Sequence, residues 1–441
     1  MHFHTDELLA FLNDDGNLVD LAKVRDHLSL CDDCRAQFEE LKVWNASLSD
    51  RTLWALRPVQ TETVDPLGIM ALSARAAAED AAADDLVATL PVDQIEAWRA
   101  ASAAPLEHRT AGLVRRLIRE ARTRYERAPV DALTILDVAL EIAESLTPRT
   151  LHLEGELWKE RGNALRLLGR YPEALRALDK AETAYGKVPV AEFDRAFVIW
   201  ARATVYWAMK RFEDARALAS RAEETFREFH DEIHVAQIQL LEGGIRFEEG
   251  DIVGARTVFE AIRPAVEQFE DEETLARLFA NLCTCDMRLG NLARGRTQGA
   301  RAAALFARLG MDTEALRLFW SVAEAMATDA PDGALGQLHE AAERFERLGM
   351  LGVAADVSLD TLRLLLDDGK FEEATRLAAS LAARFGQEEV AIDAAHAFAY
   401  FQEAAAALRA TPALLDYLRF YLTARAGGAE MPFAPNESSP N

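Results

Sequence analysis

The chain has few cysteines and no long apolar run, and each shortage excludes a class of protein. Four cysteines occur in 441 residues, as one C-x2-C pair and one C-x-C pair, which is not the spacing of a secreted disulfide framework. No apolar run approaches the roughly 20 residues that cross a bilayer, and the N-terminus lacks the basic-then-apolar pattern of a signal peptide. These absences predict a cytoplasmic protein, with no membrane insertion and with thiols free to bind a metal.

Positive charge is also scarce. The formal net charge is −24, with 49 Lys and Arg against 73 Asp and Glu, and residues 1–50 alone hold eleven acidic and four basic residues. Proteins that bind nucleic acid cluster Lys and Arg against the phosphates, so no direct nucleic-acid contact is expected. Signatures of catalysis are missing, because the sequence holds neither a glycine-rich phosphate loop after a strand nor a G-x-S-x-G elbow. We therefore expect a protein that binds other proteins and is not an enzyme.

The N-terminal segment carries a metal-binding pattern. His27, Cys31 and Cys34 form an H-x3-C-x2-C cluster, in which the imidazole lies one helical turn before the first thiol on the same face. Structural zinc is nearly always four-coordinate, and either His2 or His4 could supply the fourth ligand. A domain of about 50 residues buries too little surface to fold unaided, so bound Zn2+ would also stabilise it.

Helical periodicity surrounds this pattern. It predicts short helices over residues 5–13 and 18–30 and a third from the cysteine pair to about residue 48. Residues 51–108 combine prolines and a glycine with an alanine-rich stretch, which predicts a linker with helical segments, one of them near residues 93–101.

The start of the chain and its HLSLCDDCR core resemble the zinc-binding anti-sigma domain. That family is a small helical module that sequesters sigma factors of the extracytoplasmic-function type. The resemblance implies that His27, Cys31 and Cys34 are zinc ligands, with His2 favoured slightly over His4 as the fourth. It also implies a sigma factor as partner, with the helices of residues 1–50 clamped between the promoter-reading domains of that factor. Oxidation of Cys31 and Cys34 to a disulfide would release the metal, so redox sensing is an option.

From about residue 110 the sequence repeats. The turn sequences GRYPEA, KRFEDA, GDIVGA, GNLARG and GKFEEA recur at a spacing near 40 residues, which predicts stacked helix pairs. A small residue just after each turn marks seven such pairs: Ala132, Ala174, Ala215, Ala255, Gly295, Ala334 and Ala374. The C-x-C pair, Cys283 and Cys285, lies inside one of these helices with its side chains about 200° apart. We therefore predict buried packing for both thiols.

The second repeat resembles the tetratricopeptide-repeat (TPR) family at Trp158, Gly162, Ala174, Leu178 and Ala181. The resemblance implies a superhelix with a concave groove, lined by the first helix of each pair, that binds an unknown protein or peptide. It implies that seven side chains face this groove: Lys159, Asn163, Arg166, Trp200, Thr204, Trp207 and Phe247. For the two tryptophans, packing between neighbouring repeats is an equal alternative.

These patterns predict an all-α chain in four segments. They are a zinc-binding three-helix domain (1–50), the linker (51–108), a TPR-type α-solenoid of about seven helix pairs with C-terminal capping helices (109–426), and a disordered tail (427–441). The expected function is transcription regulation of the anti-sigma type, with the solenoid as interaction or sensing arm. One alternative is an adaptor whose zinc domain is only structural. Another is an array that senses a small molecule or peptide.

Overall fold

The structure is a computed structural model of the 441-residue chain. It describes residues 2–3, 8, 11–12, 20–31, 33–36, 38–39, 41–42, 66–88, 109–269, 271–327, 330–385 and 392–435. No strand occurs among these residues, and none of their helices is long and apolar enough to span a membrane. The predicted all-α class is therefore confirmed. The chain divides into two compact units, Met1–Ala74 and Arg75–Asn441.

The helices are numbered in chain order within the described residues. Helix α1 (Leu21–Leu30) lies in the first unit, and α2 (Pro66–Ala88) runs across the division between the two units. The helices of the second unit continue with α3 (Ala111–Arg124), α4 (Pro129–Ser145), α5 (Leu151–Leu167), α6 (Tyr171–Tyr185), α7 (Glu192–Ala208), α8 (Phe212–Glu228), α9 (Glu232–Glu248), α10 (Ile252–Gln268), α11 (Glu272–Arg288), α12 (Leu292–Leu309), α13 (Asp312–Met326), α14 (Pro331–Arg347), α15 (Leu351–Asp367), α16 (Phe371–Phe385), α17 (Ile392–Ala406) and α18 (Pro412–Ala426).

Helices α3 to α16 pack as seven consecutive pairs, as the repeat predicted. Each small marker residue is the fourth residue of the second helix of its pair, and all seven are buried. Small residues at such positions let paired helices approach closely. At Gly243 in α9 an added Cβ would lie 2.7 Å from Cζ of Phe259 in α10, so this contact has no room for a side chain.

In five of the seven pairs, the described residues of the turn include one in the left-handed conformation. Gly169, Gly250, Gly290 and Gly369 have φ values of 74°, 87°, 77° and 68°, and each lies two positions before the second helix of its pair. Glycine adopts this conformation without a steric cost. The recurrent glycine of the turn sequences therefore has a conformational cause, and Lys210 takes the same position with φ 58°.

Part of the predicted linker packs against the first helix of the solenoid. A Cβ at Gly112 in α3 would lie 2.5 Å from the backbone of Glu79 in α2. Arg115 pairs with Asp80 at 2.8 Å, and the apolar core of the first repeats extends to Val87. Residues 75–88 thus cover one side of α3. The helix predicted near residues 93–101 lies outside the described residues.

Helices α17 and α18 lie at the end of the solenoid unit, where capping helices were predicted. The tail that was expected to be disordered from residue 427 instead packs as far as residue 435. Phe433 contacts the rings of Tyr400, Tyr417 and Tyr421 at centroid distances of 5.2, 5.6 and 5.0 Å. Burial of an aromatic ring against other rings stabilises this packed part of the tail, and the sequence analysis did not identify Phe433.

Candidate metal centre and groove

Helix α1 presents two of the predicted metal ligands. Asp20 caps its N-terminus, with Oδ1 accepting hydrogen bonds from the N–H groups of Ala22 at 3.1 Å and Lys23 at 3.2 Å. The helix ends at Cys31, whose N–H donates to the carbonyl of His27 at 2.9 Å. The helical spacing of four residues therefore places the imidazole and the first thiol at the same end of α1.

Cys34 lies in the helical stretch 33–36 that follows, and only 2% of its surface is exposed. Phe3 meets the ring of His27 edge-on, with the centroids 5.0 Å apart, and this contact ties the chain start to α1. Among the described residues, the buried apolar core of the first unit consists of Leu8, Val24, Leu28 and Cys34.

Four potential ligand atoms converge beside this core. Nδ1 of His2 lies 3.4 Å from Sγ of Cys31 and 3.4 Å from Sγ of Cys34. With His27 included, the ligand atoms all lie within 4.8 Å of one another. In a tetrahedral zinc site with bonds of about 2.3 Å to sulfur and about 2.0 Å to nitrogen, sulfur and nitrogen ligands lie about 3.5 Å apart. These four residues could therefore hold one metal ion.

The surroundings of His27 also fit a metal ion. Its Nε2 is buried and has no hydrogen-bond partner among the described residues, although buried polar atoms are normally paired. A metal ion would satisfy this nitrogen. Two cysteines and two histidines form a donor set that zinc accepts. In this arrangement His2 is the fourth residue of the cluster, while the alternative, His4, lies outside the described residues.

The second cysteine pair has a different environment. Cys283 and Cys285 are 1% and 0% exposed within α11, as the helical spacing predicted. Burial raises the pKa of the Cys283 thiol to about 11. Burial and the charge of Asp286 raise the pKa of Cys285 to about 12. Both thiols are therefore protonated near neutral pH, and they act as packing residues of the solenoid core.

Two of the predicted groove residues bind a buried acid that the sequence analysis missed. Glu160 in α5 is 4% exposed. Its carboxylate is contacted by four side chains: Lys159 at 3.0 Å, Arg122 at 2.6 Å, Tyr125 at 2.9 Å and Asn163 at 3.3 Å. Lys159 and Asn163 therefore have a structural partner within the solenoid.

The electrostatics of Glu160 are those of a paired charge. Burial alone would raise its pKa, but the charges of Lys159 and Arg122 and their hydrogen bonds outweigh burial and lower the pKa to about 2. Helical spacing could have indicated this residue, because Leu157 and Ala164 place it on the buried face of α5. Nothing local identifies Arg122, which lies 38 residues away in the chain.

Three other predicted groove residues carry a buried N–H with no acceptor among the described residues. The atoms are Nε of Arg166 and Nε1 of Trp200 and Trp207. Both indoles also pack on the core formed by α7, α8 and α9, so contact between repeats occurs as well. Phe247 packs on the next core along the solenoid, and the Thr204 hydroxyl donates to a carbonyl within α7 at 2.7 Å.

Comparison with known proteins gives likeness of fold only. No family model matches the chain, and no curated protein matches it. Among solved structures, a Rap protein complexed with competence and sporulation factor is 16% identical, with a TM-score of 0.47 over 78% of this chain and 99% of that one. NprR in complex with its cognate peptide NprX is 16% identical, with a TM-score of 0.46 over 59% and 74%. Aspartyl phosphate phosphatase F from Bacillus subtilis is 11% identical, with a TM-score of 0.46 over 59% and 67%. At these values the likeness carries no argument about function, and the solenoid assignment rests on the helix pairs themselves.

Proposed function

We propose that the chain is a transcription regulator of the anti-sigma type, with a zinc-bound N-terminal unit that binds a sigma factor and a solenoid that serves as an interaction or sensing arm. The observation that supports it best is the convergence of His2, His27, Cys31 and Cys34 within 4.8 Å. This set lies in a sequence that resembles the zinc-binding anti-sigma domain.

The four residues would hold Zn2+ as a structural ion. With two thiolates and two imidazoles the coordination is complete, so no open position remains for a substrate or an activated water. When bound, the ion would cross-link the chain start, the end of α1 and residues 33–36. We therefore propose that the chain is a binding protein and not an enzyme. Free thiols that bind a metal fit the reducing conditions of the cytoplasm.

Charge would assist the proposed sigma contact. Residues 1–50 hold eleven acidic and four basic residues, and a sigma factor presents basic surfaces where it would otherwise meet DNA. Complementary charge increases the rate of association and helps to select the partner. A ligand of the solenoid would control this contact only if it bound the free and the sigma-bound states with different affinity.

The proposal is tested by recovering partners of the tagged full-length chain from its own cells, with the partners identified by mass spectrometry. We expect a sigma factor in comparable amount, lost in Cys31→Ser and retained in Cys283→Ser. The second variant is the matched control, since it alters a buried solenoid thiol. Absence of a sigma factor from the wild-type sample, or its full recovery with Cys31→Ser, would contradict the proposal.

The second candidate is an adaptor whose zinc unit is only structural. The unpartnered donors of Arg166, Trp200 and Trp207 favour it, because they lie on residues predicted to face the groove. An adaptor would recover its partner equally well with Cys31→Ser and would lose it with Trp207→Ala. The same experiment therefore separates the two candidates.

A further inference from the structure

The C-terminal end of the solenoid unit holds a short segment of its own chain in an aromatic site. Helix α18 ends at Ala426, and Gly428 follows in the left-handed conformation with φ 86°. The chain turns back at this point. Residues 431–435, here named the strap, then pack against α17 and α18 without forming a helix themselves.

Three tyrosines form the aromatic site. The ring of Phe433 lies 5.2 Å from the ring of Tyr400 in α17, measured between centroids. It lies 5.6 Å from Tyr417 and 5.0 Å from Tyr421, both in α18. The contacts with Tyr400 and Tyr421 are edge-on, which is a preferred arrangement of aromatic pairs. Three rings of the solenoid thus contact one phenylalanine side chain.

A tyrosine hydroxyl also binds the backbone of the strap. The N–H of Ala434 donates to Oη of Tyr417 at 2.8 Å, which fixes the chain directly after Phe433. The side chain of Met431 packs on the same apolar core, while Pro432 is exposed. The site therefore binds the strap through an inserted ring, a backbone hydrogen bond and a flanking apolar side chain.

The sequence of the strap, Met-Pro-Phe-Ala-Pro, suits this kind of binding. Proline does not continue a helix, and the residue before a proline favours an extended conformation. Met431 and Ala434 each precede a proline, so the strap is biased toward an extended chain before it docks. Such a segment loses little conformational entropy on docking, and proline-rich segments are commonly bound by aromatic side chains.

The strap is held separately from the turn that joins it to α18. Within this turn the N–H of Ala429 donates to the carbonyl of Ala424 at 2.9 Å, and Nη1 of Arg425 donates to the carbonyl of Ala429 at 2.9 Å. The strap is held instead by Phe433 and Ala434 on the tyrosines. Because these two sets of contacts share no residue, the strap can leave the site while the turn and α18 stay folded. Local opening of this kind costs less than global unfolding.

We propose that the aromatic site is a docking site for a partner protein. It binds an extended segment of the partner that carries phenylalanine next to proline, and the strap fills it until the partner displaces the strap. This inference deepens the proposed function, because it gives the solenoid, as interaction arm, a class of partner. A segment on a short link has an effective concentration in the millimolar range. The strap therefore excludes weak competitors and yields to a partner that also contacts another surface.

The test is the fluorescence anisotropy of a labelled peptide with the sequence of residues 429–435, titrated with the full-length chain. We expect saturable binding by the Phe433→Ala chain, because its strap no longer fills the site. The wild-type chain should bind the peptide about tenfold or more weakly, since its strap competes at a millimolar effective concentration. The peptide with Phe433→Ala should bind to neither chain.

The matched control is Phe420→Ala, which removes a phenylalanine of α18 that is 56% exposed and leaves the strap in place. This chain should bind the peptide as weakly as the wild-type chain does. Adding Tyr417→Phe to the Phe433→Ala chain should weaken peptide binding about fivefold, because it removes the hydroxyl that accepts from Ala434. If Phe433→Ala does not fold, Ala434→Pro replaces it, since proline has no N–H to donate to Tyr417.

The proposal is overturned if the chain with the released strap does not bind the peptide saturably, or if it and the wild-type chain bind the peptide equally well. These titrations involve neither zinc nor a sigma factor. A negative result would therefore remove the docking site and leave the proposed anti-sigma function in place.

Discussion

The two units of the chain stabilise their helices in different ways. In residues 1–74 the buried apolar core, as far as the structure describes it, is limited to Leu8, Val24, Leu28 and Cys34, beside the four-residue metal cluster. In residues 75–441 each helix pair contributes its own buried side chains, and neighbouring pairs share them in large cores. A small unit needs a cross-link where a long array does not. Within the described residues of the first unit, the potential metal ligands lie directly beside this core.

The cysteines show the same contrast. Cys31 and Cys34 lie beside an imidazole, each 3.4 Å from Nδ1 of His2. Cys283 and Cys285 are buried in α11, and burial raises their pKa values to about 11 and about 12. The first pair has the surroundings of ligands and the second those of core residues. A reagent that alkylates thiols can therefore probe both units in one experiment.

The largest expected effect is that of removing the metal, which should unfold the first unit only. Structural zinc contributes about 10 to 16 kcal/mol of folding free energy in zinc-finger peptides, so a strong chelator should unfold the first unit and leave the solenoid folded. Alkylation followed by mass spectrometry should then modify Cys31 and Cys34 quickly and spare Cys283 and Cys285. Equal protection of all four thiols after chelation would contradict this expectation.

The next effect tests the buried charge of the solenoid. Glu160→Gln should lower the free energy of unfolding by about 3 kcal/mol, because it leaves Arg122 and Lys159 without their buried counterion. Urea denaturation measures the change. The control is Glu372→Gln, which alters an acid whose side chain is 88% exposed and should change stability by less than about 0.5 kcal/mol.

The pH dependence sharpens this test. The pKa of Glu160 is about 2 in the folded chain, below its ordinary value of 4.5. The folded state therefore binds fewer protons than the unfolded state between these values, and stability falls as the pH falls from 4.5 toward 2. Glu160→Gln should lose this part of the pH dependence. An unchanged acid limb in the variant would show that Glu160 is not the group responsible.

A packing change should have a smaller effect. In Gly243→Ala the new Cβ would lie 2.7 Å from Cζ of Phe259, so the α9–α10 pair must separate, at a cost of about 2 kcal/mol. Gly333 in α14 has nothing within 4 Å of an added Cβ. Gly333→Ala should therefore be neutral or stabilise by up to about 1 kcal/mol. Equal thermal midpoints for the two variants would contradict close packing at the pair.

The smallest effect concerns the contact between the turn after α3 and the start of α13, where the Thr313 hydroxyl donates to the carbonyl of Glu126 at 2.5 Å. Burial and the nearby charge of Glu314 raise the pKa of Glu126 to about 7 from its ordinary 4.5. The folded state binds more protons than the unfolded state between these values, so stability falls as the pH rises through this range. Glu126→Gln should therefore stabilise the chain by about 1 kcal/mol at about pH 8 and change little at about pH 5.

Thermal unfolding at both pH values measures the effect of Glu126→Gln. The matched control is Glu213→Gln, because the Glu213 side chain is 95% exposed. This control should show no difference between the two pH values. A stabilisation by Glu126→Gln that is the same at both would mean that the carboxyl does not titrate in this range.

The fold of the solenoid could be predicted because its determinants are local. Left-handed glycines such as Gly169 and small residues such as Ala174 recur at a fixed spacing, and each acts within its own helix pair. The contact between Glu126 and Thr313 could not be predicted, since it depends on the summed rotation of several pairs. The tail residue Phe433 was missed for another reason, because it packs on α17 and α18 from a segment without helical periodicity.

The metal cluster was predictable in part. A helical spacing of four residues brings His27 and Cys31 together, and Cys34 follows within one turn. The position of His2 depends on the path of the chain start, which spacing does not determine. Glu160 was missed, because a sequence does not show that a buried charge has a distant partner such as Arg122.

The most direct measurement is the zinc content of the purified full-length chain and its cysteine variants. We expect one zinc ion per wild-type chain and per chain of the Cys283→Ser, Cys285→Ser double variant, and none in Cys31→Ser. Such a result would show that the first unit is held by a metal that the solenoid thiols do not bind. Zinc retained in Cys31→Ser, or absent from the wild-type chain, would contradict the difference between the two units.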